Sequence, residues 1–266
     1  AASAPLFVFA DTDIFAKAPK RLTAAGVSDI LGKYIALADW KIASILSEEY
    51  YCAEVVNLET RAVRTVKDNL KEIAAGEEEA CEKLMYALVL SGLAMQMTGS
   101  SRPASGAEHH LVHLWDMEVV NGHLDALHGE KVSAGTMLVL LEYKKIADAI
   151  RRGTCRVHTC TEEDQELLKE TFGKKGILGT LEKENTPELL DDVSTRELSD
   201  ALPKILKIID ALPAVTDMQE MMNTAGCVSR VRDIGLPGEV IEESLLLAPY
   251  TRRRLSLLRL RKMLTY

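Results

Sequence analysis

The chain has 266 residues, of which 47% are apolar and only 5% aromatic, and its formal net charge is −8. This length suits one large domain or one and a half ordinary ones, and the composition predicts an aliphatic, methionine-containing core of the kind found in helical proteins. The acidic balance argues against a nucleic-acid-binding protein, and no apolar run approaches the roughly 18–20 residues of a membrane span.

The chain begins with an apolar segment, LFVFA, followed by the polar run DTD. Residues 5–10 predict one β-strand, but a strand without partners is not stable by itself. We therefore expect the last strand of a sheet whose remainder lies outside this sequence. On this interpretation residues 1–13 are a remnant of an α/β domain, and residues 14–266 form a helical domain.

Cysteine usage and the N-terminal composition predict a cytoplasmic protein. The five cysteines are odd in number and scattered, which does not suit a disulfide framework and fits a reducing compartment. Cys155 and Cys160 are too far apart for a C-x-x-C motif, so buried or incidental thiols are favoured over a zinc site. The N-terminal segment also lacks the basic flank and the length of a secretory signal peptide.

From Asp29 onward nearly every segment has the 3.6-residue apolar spacing of helices. Asp29 lies in AAGVSDILGKYIALADW, where a glycine-containing turn is expected to enter a helix. An aspartate at such a position favours interpretation as a helix cap. A role as a metal ligand is the alternative that the spacing leaves open.

Residues 100–131 contain five of the six histidines. Ser105 and Glu108 have the S-x-x-E spacing of a capping box, which predicts a helix beginning at Ser105. His109 and His113 then lie four residues apart on one face of that helix. An Asn-Gly pair at residues 121–122 predicts its end.

A second helix is predicted where His128-Gly129 opens an apolar-periodic run over residues 132–150. Histidines from two helices joined by a short link can close around one divalent metal. Such sites commonly use three protein ligands and keep one position open. Asp29 is the best candidate for a third, carboxylate ligand, although a surface or core pair of histidines remains the alternative for His109 and His113.

Beyond residue 159 the pattern predicts further helices. Residues 159–195 suggest helices joined by solvated links, and short helices are expected at residues 202–212 and 216–226. Three methionines of the second of these favour core filling over a ligand role. Residues 238–264 alternate leucines with five arginines that are expected to form a solvated face: Arg252, Arg253, Arg254, Arg259 and Arg261.

Three segments carry a family resemblance: AGVSDILGKYIALADWK, SSRPASGAEHHLVHLW and LHGEKVSAGT. They resemble the metal-binding domain of the superfamily that contains iron-containing alcohol dehydrogenases, glycerol dehydrogenases and dehydroquinate synthases. Within it they are most similar to bacterial sn-glycerol-1-phosphate dehydrogenases. The resemblance implies a mainly α fold, the multi-helix C-terminal domain of the dehydroquinate synthase-like fold, with one residual strand from a missing α/β domain.

The resemblance also implies the metal ligands. They fall on Asp29, His109 and His128, with His110 as the competitor of His109 if the register slips by one. His113 resembles a second active-site histidine that lies near the substrate without binding the metal. Ser28 stands where the family motif has glycine, which puts the local backbone conformation before the aspartate in doubt.

The implied activity is an NAD(P)-linked interconversion of dihydroxyacetone phosphate and sn-glycerol 1-phosphate. Zinc is the usual metal for such a ligand set, and nickel or iron also suits it. NAD or NADP would bind through the missing domain, because this sequence contains no G-x-G-x-x-G run. The chain alone is therefore expected to be inactive, and a homo-oligomer is expected.

Arg102 and Ser105 lie just upstream of the ligand helix and are candidates for binding the substrate phosphate. The alternative is that Ser105 only caps the helix and that Arg102 is exposed. Two other functions also remain open: a glycerol dehydrogenase acting on the unphosphorylated polyol, and a non-catalytic helical metal-binding module.

Overall fold

The computed structural model describes residues 5–160 and 165–266 of the chain. These residues are mainly α-helical, which confirms the expected fold class. Thirteen α-helices lie in the described ranges: α1 Thr12–Ala16, α2 Lys20–Leu46, α3 Ala53–Lys67, α4 Leu70–Ala75, α5 Glu78–Thr98, α6 Ala107–Asp116, α7 His128–Arg151, α8 Gln165–Gly173, α9 Leu178–Glu184, α10 Thr195–Asp210, α11 Val215–Thr224, α12 Ile241–Leu247 and α13 Leu257–Leu260.

The core is organised around the two longest helices, α2 and α7, which pack against each other. Helix α6 packs against the first turns of α7, and helices α3 and α10 pack against α2. The buried faces are aliphatic, as the composition predicts, and the methionines of α11 (Met218, Met221 and Met222) are buried in the same core. Their predicted role as core filler is therefore confirmed.

β structure in the described ranges is limited to one antiparallel pair. Strand β1, Arg156–Val157, pairs with β2, Leu264–Thr265. Residues 5–10 are in neither a helix nor a strand, and Leu6 and Phe9 are 92% and 94% exposed. The strand predicted there is not formed, since no other segment of the described chain offers its hydrogen-bonding groups a partner.

The arginines near the C-terminus depart from the expected solvated face. Arg259 is 1% exposed, and its guanidinium donates to the Glu188 carboxylate at 2.8 Å and to Asn185 Oδ1 at 2.9 Å. Arg261 is paired with Glu142 at 2.9 Å. The solvated-face prediction is wrong for these two residues, because acidic partners that are distant in sequence compensate their burial. It is also wrong for Arg254, which is half-buried and donates to Ser101 Oγ and the Ser105 carbonyl.

Helix bounds agree with the predictions for residues 132–150, 202–212 and 216–226 to within a few residues, except that the second helix begins at Thr195. In the segment of residues 159–195, α8 and α9 are followed by a 3-10 helix at Leu189–Asp192, and residues 161–164 lie outside the described ranges. None of the described helices combines the length and the hydropathy required to cross a bilayer.

Candidate metal centre

Asp29 lies well inside helix α2, which begins at Lys20, so the helix-cap interpretation is wrong. The helix continues through Gly26 because Val27, Ile30 and neighbouring apolar residues maintain one buried face. Ser28 is helical as well, and its hydroxyl donates to the Ala24 carbonyl at 2.9 Å. The serine that replaces the family glycine therefore does not shape a turn.

The three predicted ligands converge from three helices. Asp29 comes from α2, His109 from the first turn of α6, and His128 is the first residue of α7. One ligand atom of each lies within 4.8 Å of the others, and Asp29 Oδ1 is 3.4 Å from His109 Nε2. Bonds of about 2.0–2.2 Å to a tetrahedral ion would separate ligand atoms by roughly 3.3–3.6 Å. The donor set and the separation of Asp29 Oδ1 from His109 Nε2 therefore fit a divalent metal.

Neighbouring side chains orient the donor atoms. His109 Nδ1 lies 2.7 Å from Glu108 Oε1, which leaves Nε2 directed toward Asp29. The other oxygen of Asp29, Oδ2, accepts from Lys33 Nζ at 2.7 Å, and Lys33 also donates to the Ala104 carbonyl at 3.0 Å. A carboxylate behind a histidine ligand is a common second contact at metal sites, since it orients the ring and increases its basicity.

Glycines set the close approach of the three helices. A Cβ atom on Gly129 would lie 2.1 Å from the Ala25 carbonyl oxygen of α2, and one on Gly135 would lie 2.9 Å from the Glu108 carbonyl oxygen of α6. Both distances are shorter than van der Waals contact, and in both cases the atom met is backbone. The residue after His128 must therefore be glycine for α7 to begin beside Asp29.

Burial and neighbouring charges shift the pKa values of all three candidate ligands. Burial opposes ionisation of Asp29, but Lys33 and His109 outweigh it and hold the pKa of this carboxyl well below its usual range. Burial also disfavours the imidazolium form of His109, yet Asp29 and Glu108 raise its pKa above the ordinary value. His128, which is exposed, has a lowered pKa because of partial desolvation and the neighbouring His109. The exposed side of His128 leaves an approach to the cluster from solvent.

The two remaining histidines of α6 differ. His110 is fully buried, its ring nitrogens have no hydrogen-bond partner among the described residues, and it is outside the cluster. His113 is half-buried one turn beyond His109, and burial together with the charge of Arg252 lowers its pKa to about 4. His113 is thus neutral near pH 7, beside the cluster but not in it.

Arg102 and Ser105 are both buried, so the exposed alternative for Arg102 is wrong. Arg102 Nε and Nη2 each donate to the Glu49 carboxylate at 2.5 Å, while Nη1 is buried without a partner among the described residues. Ser105 does not cap the helix. Its predicted partner Glu108 instead accepts from the Gly106 amide at 2.8 Å.

The start of α6 is stabilised from elsewhere. Asp39 Oδ2, on α2, accepts from the Ala107 amide at 2.8 Å, so a distant carboxylate takes the place of the predicted capping serine. The helix ends at Asp116, earlier than residues 121–122 suggest. Sequence reasoning thus missed Lys33, Glu108 and Asp39. The first two could have been found from their spacing to Asp29 and His109, whereas nothing in the sequence relates Asp39 to α6.

An aspartate and two histidines that meet between three helices, with one side open, define the class: a helical domain with a ligand set that could hold a divalent metal. No family model matches the chain. Its sequence is 33% identical over 256 residues to a protein named glycerol-1-phosphate dehydrogenase (NAD(P)+) from Halalkalibacterium halodurans, covering 96% of this chain and 56% of that protein.

A protein of the same name from Pyrococcus horikoshii is 35% identical over 215 residues, which cover 78% of this chain and 60% of that protein. A third, from Geobacillus thermodenitrificans, is 32% identical over 92% of this chain and 54% of its own length. The chain is therefore homologous to glycerol-1-phosphate dehydrogenases over most of its own length, which confirms the resemblance seen in its motifs. It spans about half the length of these relatives.

Proposed function

We propose that this chain is the metal-site half of an NAD(P)-dependent dehydrogenase that interconverts dihydroxyacetone phosphate and sn-glycerol 1-phosphate. The observation that carries the proposal is the convergence of Asp29, His109 and His128 in a chain whose relatives bear the name of that enzyme. In this proposal residues 1–13 belong to an α/β domain that binds NAD or NADP, and residues 14–266 form the helical catalytic domain. The chain alone would not turn over, and the enzyme would be a cytoplasmic homo-oligomer.

The three ligands would hold a divalent ion, zinc first and nickel or iron as alternatives. A bound ion of this kind polarises a carbonyl oxygen, here the C2 oxygen of the phosphorylated ketone. Glu108 and Lys33 would keep His109 Nε2 and Asp29 Oδ1 turned toward the ion, since each holds the opposite atom of its ligand. This support comes from helices α2 and α6, so the site does not depend on a loop for its precision.

The remaining predicted residues would act on the substrate. A ring nitrogen of His113 is suited to move the proton of the C2 hydroxyl, since the ring is neutral near pH 7 and lies beside the cluster. Arg102 Nη1 and Ser105 would bind the phosphate, because both lie on the segment that leads into the ligand helix. The hydride would come from the nicotinamide of the other domain.

A substrate comparison on the enzyme that includes the nucleotide-binding domain tests this function. We expect NADH or NADPH oxidation with dihydroxyacetone phosphate to exceed that with dihydroxyacetone by at least 100-fold in kcat/KM, since a site built around a phosphate loses its charged contacts with the free ketone. Activity confined to the unphosphorylated substrate would refute the proposal and favour a polyol dehydrogenase.

A pair of histidine variants separates ligand from proton carrier. His128→Ala removes one of three ligands and is expected to lose most bound zinc by elemental analysis. His113→Ala should keep its zinc and lower turnover of the longer enzyme by about 10²–10⁴-fold, the usual size of a general acid–base contribution. Equal zinc loss in both variants would show that these two roles are wrongly assigned.

A further inference from the structure

Arg254 ties the C-terminal segment to the segment that precedes the ligand helix. It lies between the 3-10 helix Ala248–Thr251 and α13. Its Nη2 donates to Ser101 Oγ at 2.7 Å, and its Nη1 donates to the Ser105 carbonyl at 3.2 Å. The guanidinium therefore lies against residues 101–105 from the side of the C-terminal segment.

The same segment is joined to the metal centre on its other side. Lys33 bridges the Ala104 carbonyl and Asp29 Oδ2. Arg254 contacts the carbonyl of Ser105, and Lys33 contacts the carbonyl of Ala104. These carbonyls are one peptide unit apart, so Arg254 lies close to the lysine that holds the Asp29 carboxylate. The charge of Arg252, two residues before Arg254, also acts on His113. Arg252 thus lies near His113, and the charge of Arg254 acts on the neighbouring His110.

Three guanidinium groups meet here with too few carboxylates. Glu49 is paired with Arg102 alone. Neither Arg252 nor Arg254 has a carboxylate partner within the described ranges, and Arg254 donates to uncharged oxygens. Burial, reinforced by Arg102 and Arg252, lowers the pKa of Arg254 to about 10. Clustered guanidinium groups with an unpartnered buried N–H, Arg102 Nη1, are stabilised by an anion with several acceptor oxygens.

We propose that Arg254 and Arg252, together with Arg102 Nη1, bind the phosphate of a three-carbon phosphate ester whose C2 oxygen lies at the Asp29–His109–His128 cluster. This inference rests on the proposed function and adds two specificity-determining residues to it. A phosphate dianion matches the charges of two guanidinium groups that form no ion pair with a carboxylate among the described residues, whereas the free polyol offers them no negative charge. Arg254 is the central residue, because it is the more buried of the two.

The test uses the 266-residue chain loaded with zinc and inorganic phosphate as the probe, with binding measured by calorimetry. Arg254→Gln is expected to weaken phosphate binding at least tenfold, and Arg254→Lys should recover part of the loss. Arg253→Gln is the matched control, since Arg253 is the exposed neighbour and its guanidinium donates to the Pro187 carbonyl at 3.1 Å. Its phosphate affinity should equal that of the unmodified chain.

Circular dichroism and zinc content are measured on the same samples. If Arg254→Gln does not fold, the exposed Arg252→Gln replaces it and is also expected to weaken binding. Unchanged phosphate affinity in the folded variant, an equal loss in Arg253→Gln, or no phosphate binding by the unmodified chain would overturn the inference. If the unmodified chain binds zinc, each of these results leaves the proposed function intact. Failure of the unmodified chain to bind zinc would refute the proposed function itself.

Discussion

Helix α2 carries two aspartates, Asp29 and Asp39, in contrasting surroundings. Asp29 has a side chain that is 24% exposed, and its neighbours are a lysine and a histidine. Asp39 is fully buried and accepts from the amides of Ala107 and Leu257, each at 2.8 Å, and from the Tyr143 hydroxyl at 2.6 Å. Burial raises the pKa of Asp39 to about 6, although its three donors lower it.

The difference shows what converts an aspartate into a candidate ligand. Both oxygens of Asp39 are used by donors that belong to the starts of α6 and α13 and to α7, so this carboxylate holds helices together. Asp29 Oδ2 is used by Lys33, while Oδ1 is turned toward His109 and the open side of the cluster. Asp29 and Asp39 are the same type of residue on the same helix. The hydrogen-bond donors around each carboxylate therefore distinguish the candidate metal ligand from the structural residue.

Asp29→Asn tests the role of Asp29 as a metal ligand. We expect zinc affinity to fall more than 100-fold, because the amide is a poor ligand while its oxygen still accepts from Lys33. Competition with a chromogenic chelator measures the affinity, and Asp39→Asn, where it folds, serves as the control that retains zinc. Full zinc binding by Asp29→Asn would contradict the assignment.

Asp39→Asn tests the role of Asp39 in stabilising the fold. An asparagine places an NH₂ group against one of three donors, so we expect a loss of about 2–4 kcal/mol in the free energy of unfolding. Urea titration of the zinc-free chain measures this loss. A change below about 0.5 kcal/mol would show that Asp39 does not anchor α6 and α13.

A third carboxylate, that of Glu59, extends the comparison, because it predicts that stability depends on pH. Glu59 on α3 is fully buried, and burial raises its pKa to about 7, although the charge of Lys33 and a hydrogen bond with Ser91 lower it. Because the folded-state pKa is above the unfolded value of about 4.3, the stabilising form is the protonated one. Its contribution is complete below about pH 4 and is lost as the pH rises through 7.

Glu59→Gln imitates the protonated side chain. Its stability relative to the unmodified chain should be equal near pH 4 and greater by about 1–3 kcal/mol at pH 8. Thermal melting at both pH values checks this, and at this size each kcal/mol corresponds to roughly 2–4 °C. A variant that melts below the unmodified chain at pH 8 would be inconsistent with a buried, proton-binding glutamate.

Helical periodicity, a local signal, predicted the helical class, whereas the family resemblance implied the ligand set Asp29, His109 and His128, since spacing alone favoured a helix cap for Asp29. The sequence placed the start of α7 at His128 correctly and identified the methionine core of α11. It missed the continuity of α2 through Asp29, since Gly26 resembles a turn signal. Contacts between distant residues, such as Asp39 with Ala107 or Arg259 with Glu188, leave no local pattern and required the structure.

The most direct test is the position of a metal ion in crystals of the zinc-loaded chain, located by anomalous scattering at the zinc edge. The account predicts one strong peak bonded at about 2.0–2.2 Å to Asp29 Oδ1, His109 Nε2 and a ring nitrogen of His128. A strong peak on other residues, with these three side chains left without an ion, would contradict it.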